Sequence, residues 1–352
     1  MNVKVVALIL TASLLGLTSC EKPGATFSIA SDQSQFQQAA TFVPRKLDVL
    51  FVVDNSGSMQ TSQTNLARNF PSFINYFKSK GYDFRIAITT TDAYYGEQFI
   101  SAGCSLCNAQ QTQFRASADA TGGIPVRIVE NSTPNLDFVF SANAQVGTRG
   151  SGDERAFSSL KAALGSQLNA GFHRADAYLA LIIVSDSDDF SHDDININES
   201  YAQPTLHPTS TYVNYLNTFT NALPKVDYSV STIGVLDPAC RDLLAGENKI
   251  AIRYMELSDL TGGTKNSICA PFNTALDNIS ASIASNTQAQ FKINRKPVLS
   301  SIRVIINGVL VPKDPSNGWT YNQTTMIITV RGTYSPEAGA SIVINFDPES
   351  VN

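Results

Sequence analysis

At 352 residues the chain is longer than one ordinary domain and shorter than three. Its 43% hydrophobic and 16% charged residues supply a sizeable core and exclude wholesale disorder. The formal net charge of -5 comes without any Lys/Arg-rich stripe, which excludes a non-specific nucleic-acid binder.

The first twenty residues read as targeting rather than fold. Lys4 follows a polar start, an apolar run extends from Val5 to Leu17, and Leu17-Thr18-Ser19-Cys20 closes it. The run is too short to span a bilayer and has the form of a signal peptide. Its last four residues resemble a bacterial lipobox, which implies export and lipidation of Cys20 as the first mature residue. Glu21, where an Asp would favour inner-membrane retention, implies the outer membrane in a Gram-negative cell. Residues 21–45, rich in Ser, Gln and Ala, read as a tether between lipid and domain. In an oxidising compartment Cys104, Cys107, Cys240 and Cys269 form an even set. Closing the nearest loops gives Cys104–Cys107 and Cys240–Cys269, the second worth roughly 3–4 kcal/mol in the chain-entropy model.

From Lys46 strands and helices alternate. Leu47 to Val53 is a continuous apolar strand, and Leu66, Phe70, Phe73, Ile74 and Phe77 form one helical face. Phe84 to Ile88 is a second strand that runs into Thr89-Thr90-Thr91-Asp92. Residues 93–135, with the Cys-x-x-Cys and Gly122-Gly123, read as an insertion. Glu154 to Leu168 reads as a helix, Tyr178 to Val184 as a fully buried strand, Val213 to Leu223 as a helix and Tyr228 to Val235 as a strand. Arg253 to Leu257 reads as a further strand and Phe272 to Ile283 as a closing helix. The alternation predicts an α/β fold, a doubly wound, mostly parallel sheet over residues 46–290. After Pro297 the pattern turns to strands, with a type I′ hairpin signal at Asn307-Gly308, and residues 297–352 read as a small β-rich module.

The chemistry gathers at one sheet edge. In open parallel sheets, loops at the carboxyl ends of the strands form the binding crevice. Asp54-Asn55-Ser56-Gly57-Ser58 leaves the first strand there, and Ser185-Asp186-Ser187-Asp188-Asp189 leaves the strand that ends at Val184. Gly147-Thr148-Arg149-Gly150-Ser151-Gly152 precedes the Glu154 helix on the same side. Hydroxyls and carboxylates are hard ligands that suit magnesium, manganese or calcium. Asp54 is expected to face the crevice, Asp92 to stand behind the ligands, and Asp188, Asp189, Asp193 and Asp194 to form a solvated acidic loop. The histidines, His173, His192 and His207, are scattered, which argues against a zinc centre.

A strand followed by Asp54-x-Ser56-x-Ser58, a distant Thr148 and a strand ending at Asp186 resembles the von Willebrand factor type A domain with its metal-ion-dependent adhesion site. The resemblance implies that Ser56 and Ser58 offer hydroxyls directly to Mg2+ (Mn2+ or Ca2+ as alternatives). Asp54 and Asp186 would act largely through bound water, and Thr148 would supply the remaining hydroxyl. Ser151, nearer the helix, competes with Thr148 for that role, and Asp188 and Asp92 are further candidates. Few direct carboxylates leave the cation electron-poor, so that the Asp or Glu of a protein partner can complete its octahedron. The expected function is therefore a lipid-anchored, metal-dependent adhesion or protein-binding role, with no nucleic acid and no small-molecule substrate. A metal-dependent envelope hydrolase and a structural or assembly lipoprotein are the rival readings. No Gly-x-Ser-x-Gly elbow stands in the chain, and Thr261-Gly262-Gly263-Thr264-Lys265 lacks Walker spacing, so no enzyme is expected.

Overall fold

The computed structural model describes residues 36–39, 41–43, 46–99, 107–117, 124–220, 227–246, 248–287, 289–336 and 340–349. The expectations for the signal peptide, Cys20, Cys104 and most of the tether lie outside them. The strands are β1 (Phe36–Ala39), β2 (Thr41–Val43), β3 (Lys46–Val53), β4 (Asp83–Thr90), β5 (Val129–Glu130), β6 (Tyr178–Val184), β7 (Tyr228–Gly234), β8 (Lys265–Ser267), β9 (Ala289–Lys292), β10 (Arg303–Ile306), β11 (Val309–Val311), β12 (Trp319–Asn322), β13 (Ile327–Val330) and β14 (Ile342–Phe346). The helices are α1 (Gln60–Ser79), α2 (Tyr95–Gln98), α3 (Leu136–Ala144), α4 (Ala156–Gly165), α5 (Thr209–Phe219), α6 (Pro238–Leu243), α7 (Ile252–Thr261) and α8 (Phe272–Asn286).

The apolar run of β3 has no polar face because both of its faces are covered. Leu47, Val49, Phe51 and Val53 pack into one apolar cluster with α1, α3 and α8, whereas Leu50 and Val52 pack into a second with α4, α5 and α7. β6 divides in the same way, Ala180, Ile182 and Val184 to the first cluster and Leu179, Leu181 and Ile183 to the second. The side-chain period of two thus sends alternate residues to opposite layers. The sheet order is β5-β4-β3-β6-β7-β8, with every neighbour parallel except the short edge strand β5. The strand order reverses between β3 and β6, and a crevice opens at the carboxyl ends of such a pair.

Helix α1 buries Leu66, Phe70, Phe73, Ile74 and Phe77, the face anticipated from their spacing. Pro71 lies inside it and cannot donate to the Ala67 carbonyl. The Ser141 hydroxyl of α3 takes that place and donates to the Ala67 oxygen at 3.1 Å. Residues 253–257, expected as a strand, belong to helix α7. Tyr254 and Leu257 are buried on one side of it, a spacing of three that a five-residue apolar window cannot tell from a strand. Cys240 and Cys269 form the expected disulfide, with Cα atoms 5.7 Å apart. Cys107 is disulfide-bonded, and its expected partner Cys104 lies outside the described residues.

The β-rich module differs from its expected extent. Its two antiparallel sheets are ordered β1-β14-β10-β11 and β12-β13-β9-β2, and residues of both share one apolar core that contains Phe291, Val304, Trp319, Ile328 and Ile344. Residues 36–39 and 41–43, expected in the tether, are edge strands of these two sheets. Because β2 pairs with β9, the α/β body lies in sequence between two neighbouring strands of one sheet. The hairpin at Asn307-Gly308 has positive φ at both residues, 49° and 80°, as a type I′ turn requires.

Trp319 is the only tryptophan and is buried in the module core, so its fluorescence reports on that module alone. A chain beginning at Lys46 lacks β1 and β2 and is expected to show red-shifted, quencher-accessible emission. A chain beginning at Phe36 is expected to keep the blue-shifted emission of the full protein.

Candidate metal centre

Asp54 directly follows β3 and is fully buried, not at the rim of the crevice as expected. Its carboxylate accepts the Ser56 amide at 2.7 Å and the Ser185 hydroxyl at 2.6 Å. The first bond folds the Asp-x-Ser turn back on itself, and the second ties it to the end of β6. That turn brings the Ser56 and Ser58 hydroxyls to 3.5 Å from each other, and the Ser58 side chain and the Asp54 charge both act on Asp186. Four of the five main expected ligands, Asp54, Ser56, Ser58 and Asp186, therefore meet at the crevice.

The third loop is held close to them by backbone rather than by its expected hydroxyls. Gly150 donates to the Asn55 carbonyl at 2.7 Å, and a Cβ on Gly150 would stand 2.4 Å from the Asn55 amide nitrogen, so only glycine permits the approach. Asp92 braces both loops and accepts Asn55 Nδ2 at 3.0 Å and the Ser151 amide at 3.1 Å, as expected of a residue behind the ligands. Ser151 Oγ accepts the Asp153 amide and so belongs to the turn before α4. Thr148 lines a neighbouring cleft of about 630 Å³ together with Asn55, Asp92, Arg115 and Arg149. Its hydroxyl makes no hydrogen bond to the four converging residues. No hydrogen bond joins either expected hydroxyl of this loop to the four converging residues.

Gln63 and Glu154 escaped the sequence reading. Gln63 is fully buried on the apolar face of α1; its Nε2 donates to the Asp54 carbonyl at 2.9 Å and to the Gly147 carbonyl at 2.8 Å. A polar residue in register with Leu66 and Phe70 was the available signal. Glu154 is 1% exposed, and neither carboxyl oxygen makes a hydrogen bond of normal geometry. The Asp54 carboxyl and the Thr91 hydroxyl lie beside it. Burial and then the Asp54 charge push its pKa well above the usual carboxylate range. Burial likewise raises Asp54 and Asp92, and it lifts Asp186 to about 6 with the Asp54 charge adding to it.

The acidic loop after β6 is not solvated at its start. Asp188 and Asp189 are fully buried. Asp188 accepts the Arg253 amide at 3.0 Å, the Tyr254 amide at 3.3 Å and the Tyr201 hydroxyl at 2.9 Å, which caps α7 and removes it from the cation set. Asp189 accepts the Phe157 amide at 2.9 Å at the start of α4 and pairs with Arg253. Asp153 pairs with Arg155 at 2.5 Å. Asp54, Glu154, Asp186 and Asp188 are the buried carboxylates with no cationic partner among the described residues, and of these Asp188 is engaged by the first amides of α7. No three His, Cys, Asp or Glu side chains among the described residues converge closely enough to hold a metal by themselves. The donors that do converge are mixed hydroxyls and carboxylates, all hard oxygens of the kind that magnesium and calcium accept.

No protein-family model and no curated protein sequence matches the chain. Among solved structures it is similar to the pilus adhesin SpaC from Lactobacillus rhamnosus GG, at 12% identity and a TM-score of 0.41 over 87% of this chain and 39% of that one. It is similar to proximal thread matrix protein 1 from the mussel byssus, at 11% identity and a TM-score of 0.37 over 71% and 50%. It is similar to the human COPII-coat protein Sec24c, at 10% identity and a TM-score of 0.39 over 89% and 40%. The chain spans half or less of the length of each. At these scores the likenesses carry no functional argument.

The raised pKa of Asp186 fixes the sign of a pH effect. A carboxyl that moves from the ordinary 3.8 to about 6 takes up a proton on folding, so its contribution to stability is full below about pH 4 and is lost as pH rises through 6. In metal-free protein, the stability of the parent relative to Asp186→Asn is expected to fall by roughly 3 kcal/mol over that window. Urea unfolding at stepped pH in EDTA measures it.

Proposed function

We propose that the chain is a divalent-cation-dependent protein-binding lipoprotein whose α/β body is of the von Willebrand factor type A kind, doubly wound with its ligand site at the β3–β6 edge. The reading rests on one observation. Asp54, Ser56, Ser58 and Asp186 meet where the strand order reverses, and neither buried carboxylate has a cationic side chain as partner. A buried, unpaired carboxylate is costly, and a bound Mg2+, with Mn2+ or Ca2+ as alternatives, offsets that cost. Hydroxyl contacts from Ser56 and Ser58 leave the cation electron-poor, which favours a partner's Asp or Glu as its last ligand. The role is binding rather than catalysis. Cys20 carries the lipid, and the protein stands exported on the cell envelope, on the outer membrane in a Gram-negative cell. No described helix is long and apolar enough to cross a membrane, so the lipid is the attachment this reading supplies.

Because Asp54 is buried and accepts two hydrogen bonds, Asp54→Asn tests the site with less disturbance than truncation to Ala. It is expected to abolish Mg2+ binding in isothermal titration while circular dichroism stays unchanged. Mg2+ binding equal to that of the parent would defeat the proposal. Co-purification from the native host should yield a partner that EDTA releases.

The anchor has its own test. Cys20→Ser is expected to move the protein from the membrane to the soluble or unprocessed fraction and to abolish labelling by a palmitate analogue. Unchanged membrane retention of the unlabelled variant would refute the anchor.

A further inference from the structure

The cation reading leaves one group unexplained. Glu154 is 1% exposed, and both of its oxygens lack a well-formed hydrogen bond. The other carboxylates buried at this edge have partners: Asp153 pairs with Arg155 through Oδ2, its Oδ1 having no hydrogen bond, Asp188 meets the first amides of α7, and Asp189 meets Arg253 and the start of α4. Asp54 has at least two donors. Glu154 is held in place by its own backbone, whose carbonyl accepts the Phe190 amide at 2.7 Å, and by the adjacent Arg155. That guanidinium, itself buried, bonds the carbonyls of His192 at 2.9 Å and Asp194 at 2.7 Å. The side chain thus stands beside Asp54 on a fixed support, with no hydrogen bond of normal geometry to either oxygen.

Resting on the cation site proposed above, we infer that Glu154 is its third charge. It stands behind Asp54 and acts on the bound divalent cation through Asp54 and bound water. Three carboxylates, Asp54, Glu154 and Asp186, then hold the cation by charge, while the Ser56 and Ser58 hydroxyls face it. The physical reason is the sum of charges. Two carboxylates balance one divalent cation, and a third in low dielectric adds attraction without occupying a coordination position. The cation is therefore resident before a partner arrives, and the position facing the crevice stays open for the partner's carboxylate. Glu154 is a positioning residue, and Thr148 is left to the neighbouring cleft.

Isothermal titration of MgCl2, MnCl2 and CaCl2 into metal-stripped protein tests this. Glu154→Gln is expected to weaken each cation by about tenfold or more, with a thermal midpoint in EDTA equal to or above the parent's, because a buried carboxyl without a hydrogen bond of normal geometry has been replaced by a neutral amide of the same shape. Glu154→Asp keeps the charge and is expected to bind more tightly than Glu154→Gln; Thr148→Ala is expected to bind as the parent does. Glu154→Gln binding at parental affinity, equal losses in Glu154→Asp and Glu154→Gln with the fold intact, or a tenfold loss in Thr148→Ala overturns the inference. A parent that binds none of the three salts overturns the cation reading itself, an outcome distinct from these.

Discussion

Strand β3 carries a fully buried aspartate near each end, and their surroundings differ in kind. Asp48, near the amino end, is clamped by Arg174, which offers its backbone amide and Nη2 at 2.7 Å each, and by His173 at 3.2 Å. Asp54, at the carboxyl end, has a hydroxyl and an amide but no cation. Burial of a carboxylate costs several kcal/mol unless charge and hydrogen bonds replace lost water. The arrangement of the loops above β3 and β6 follows from that cost. Wherever the cost is met by protein groups, the result is structural; where it is not, the result is a site.

The structural share is large. Asp188 and Asp189 each satisfy amides at the start of a helix, α7 and α4, groups that a helix cannot satisfy internally. Arg155 pairs with Asp153 and lies 4.8 Å from the Tyr94 ring, so its charge is met on one side by a carboxylate and on the other by an aromatic face. Its remaining donors hold the carbonyls of residues 192–196. Without that arginine the carbonyls of His192, Asp194 and Asn196 would each lose a donor, and Glu154 beside it would lose part of its support. Gln63 does the equivalent for the first and third loops by bonding the carbonyls of Asp54 and Gly147 together. The crevice is thus built by buried polar groups of α1 and the α4 entry, not by the loops alone.

The β-rich module and this body are interleaved in sequence. Its sheets include strands on both sides of the α/β body in sequence, and β2 and β9 are hydrogen-bonded neighbours. The connections into and out of the body therefore start from adjacent positions in one sheet.

Much of this was legible in the residues. Apolar runs without a polar face determined that β3 and β6 are central, because only a strand covered on both sides tolerates such a run. The Leu66–Phe77 spacing determined α1, Asn307-Gly308 determined its hairpin, and Asp54-x-Ser56-x-Ser58 with Asp186 named the residues that meet. Those signals are local: they depend on period, turn chemistry and the residue that follows a strand. What tertiary structure alone decided is non-local. That residues 36–43 are strands rather than tether depends on β14 and β9, some two hundred and fifty residues or more away. That residues 253–257 are helix depends on Asp188 capping α7. That Glu154 stands beside Asp54 depends on Gly150 closing onto Asn55 and on the Arg155 anchor. A carboxylate in a sequence carries no mark of whether an arginine, a helix amide or nothing will face it once buried, since that is fixed by which distant segments pack against it.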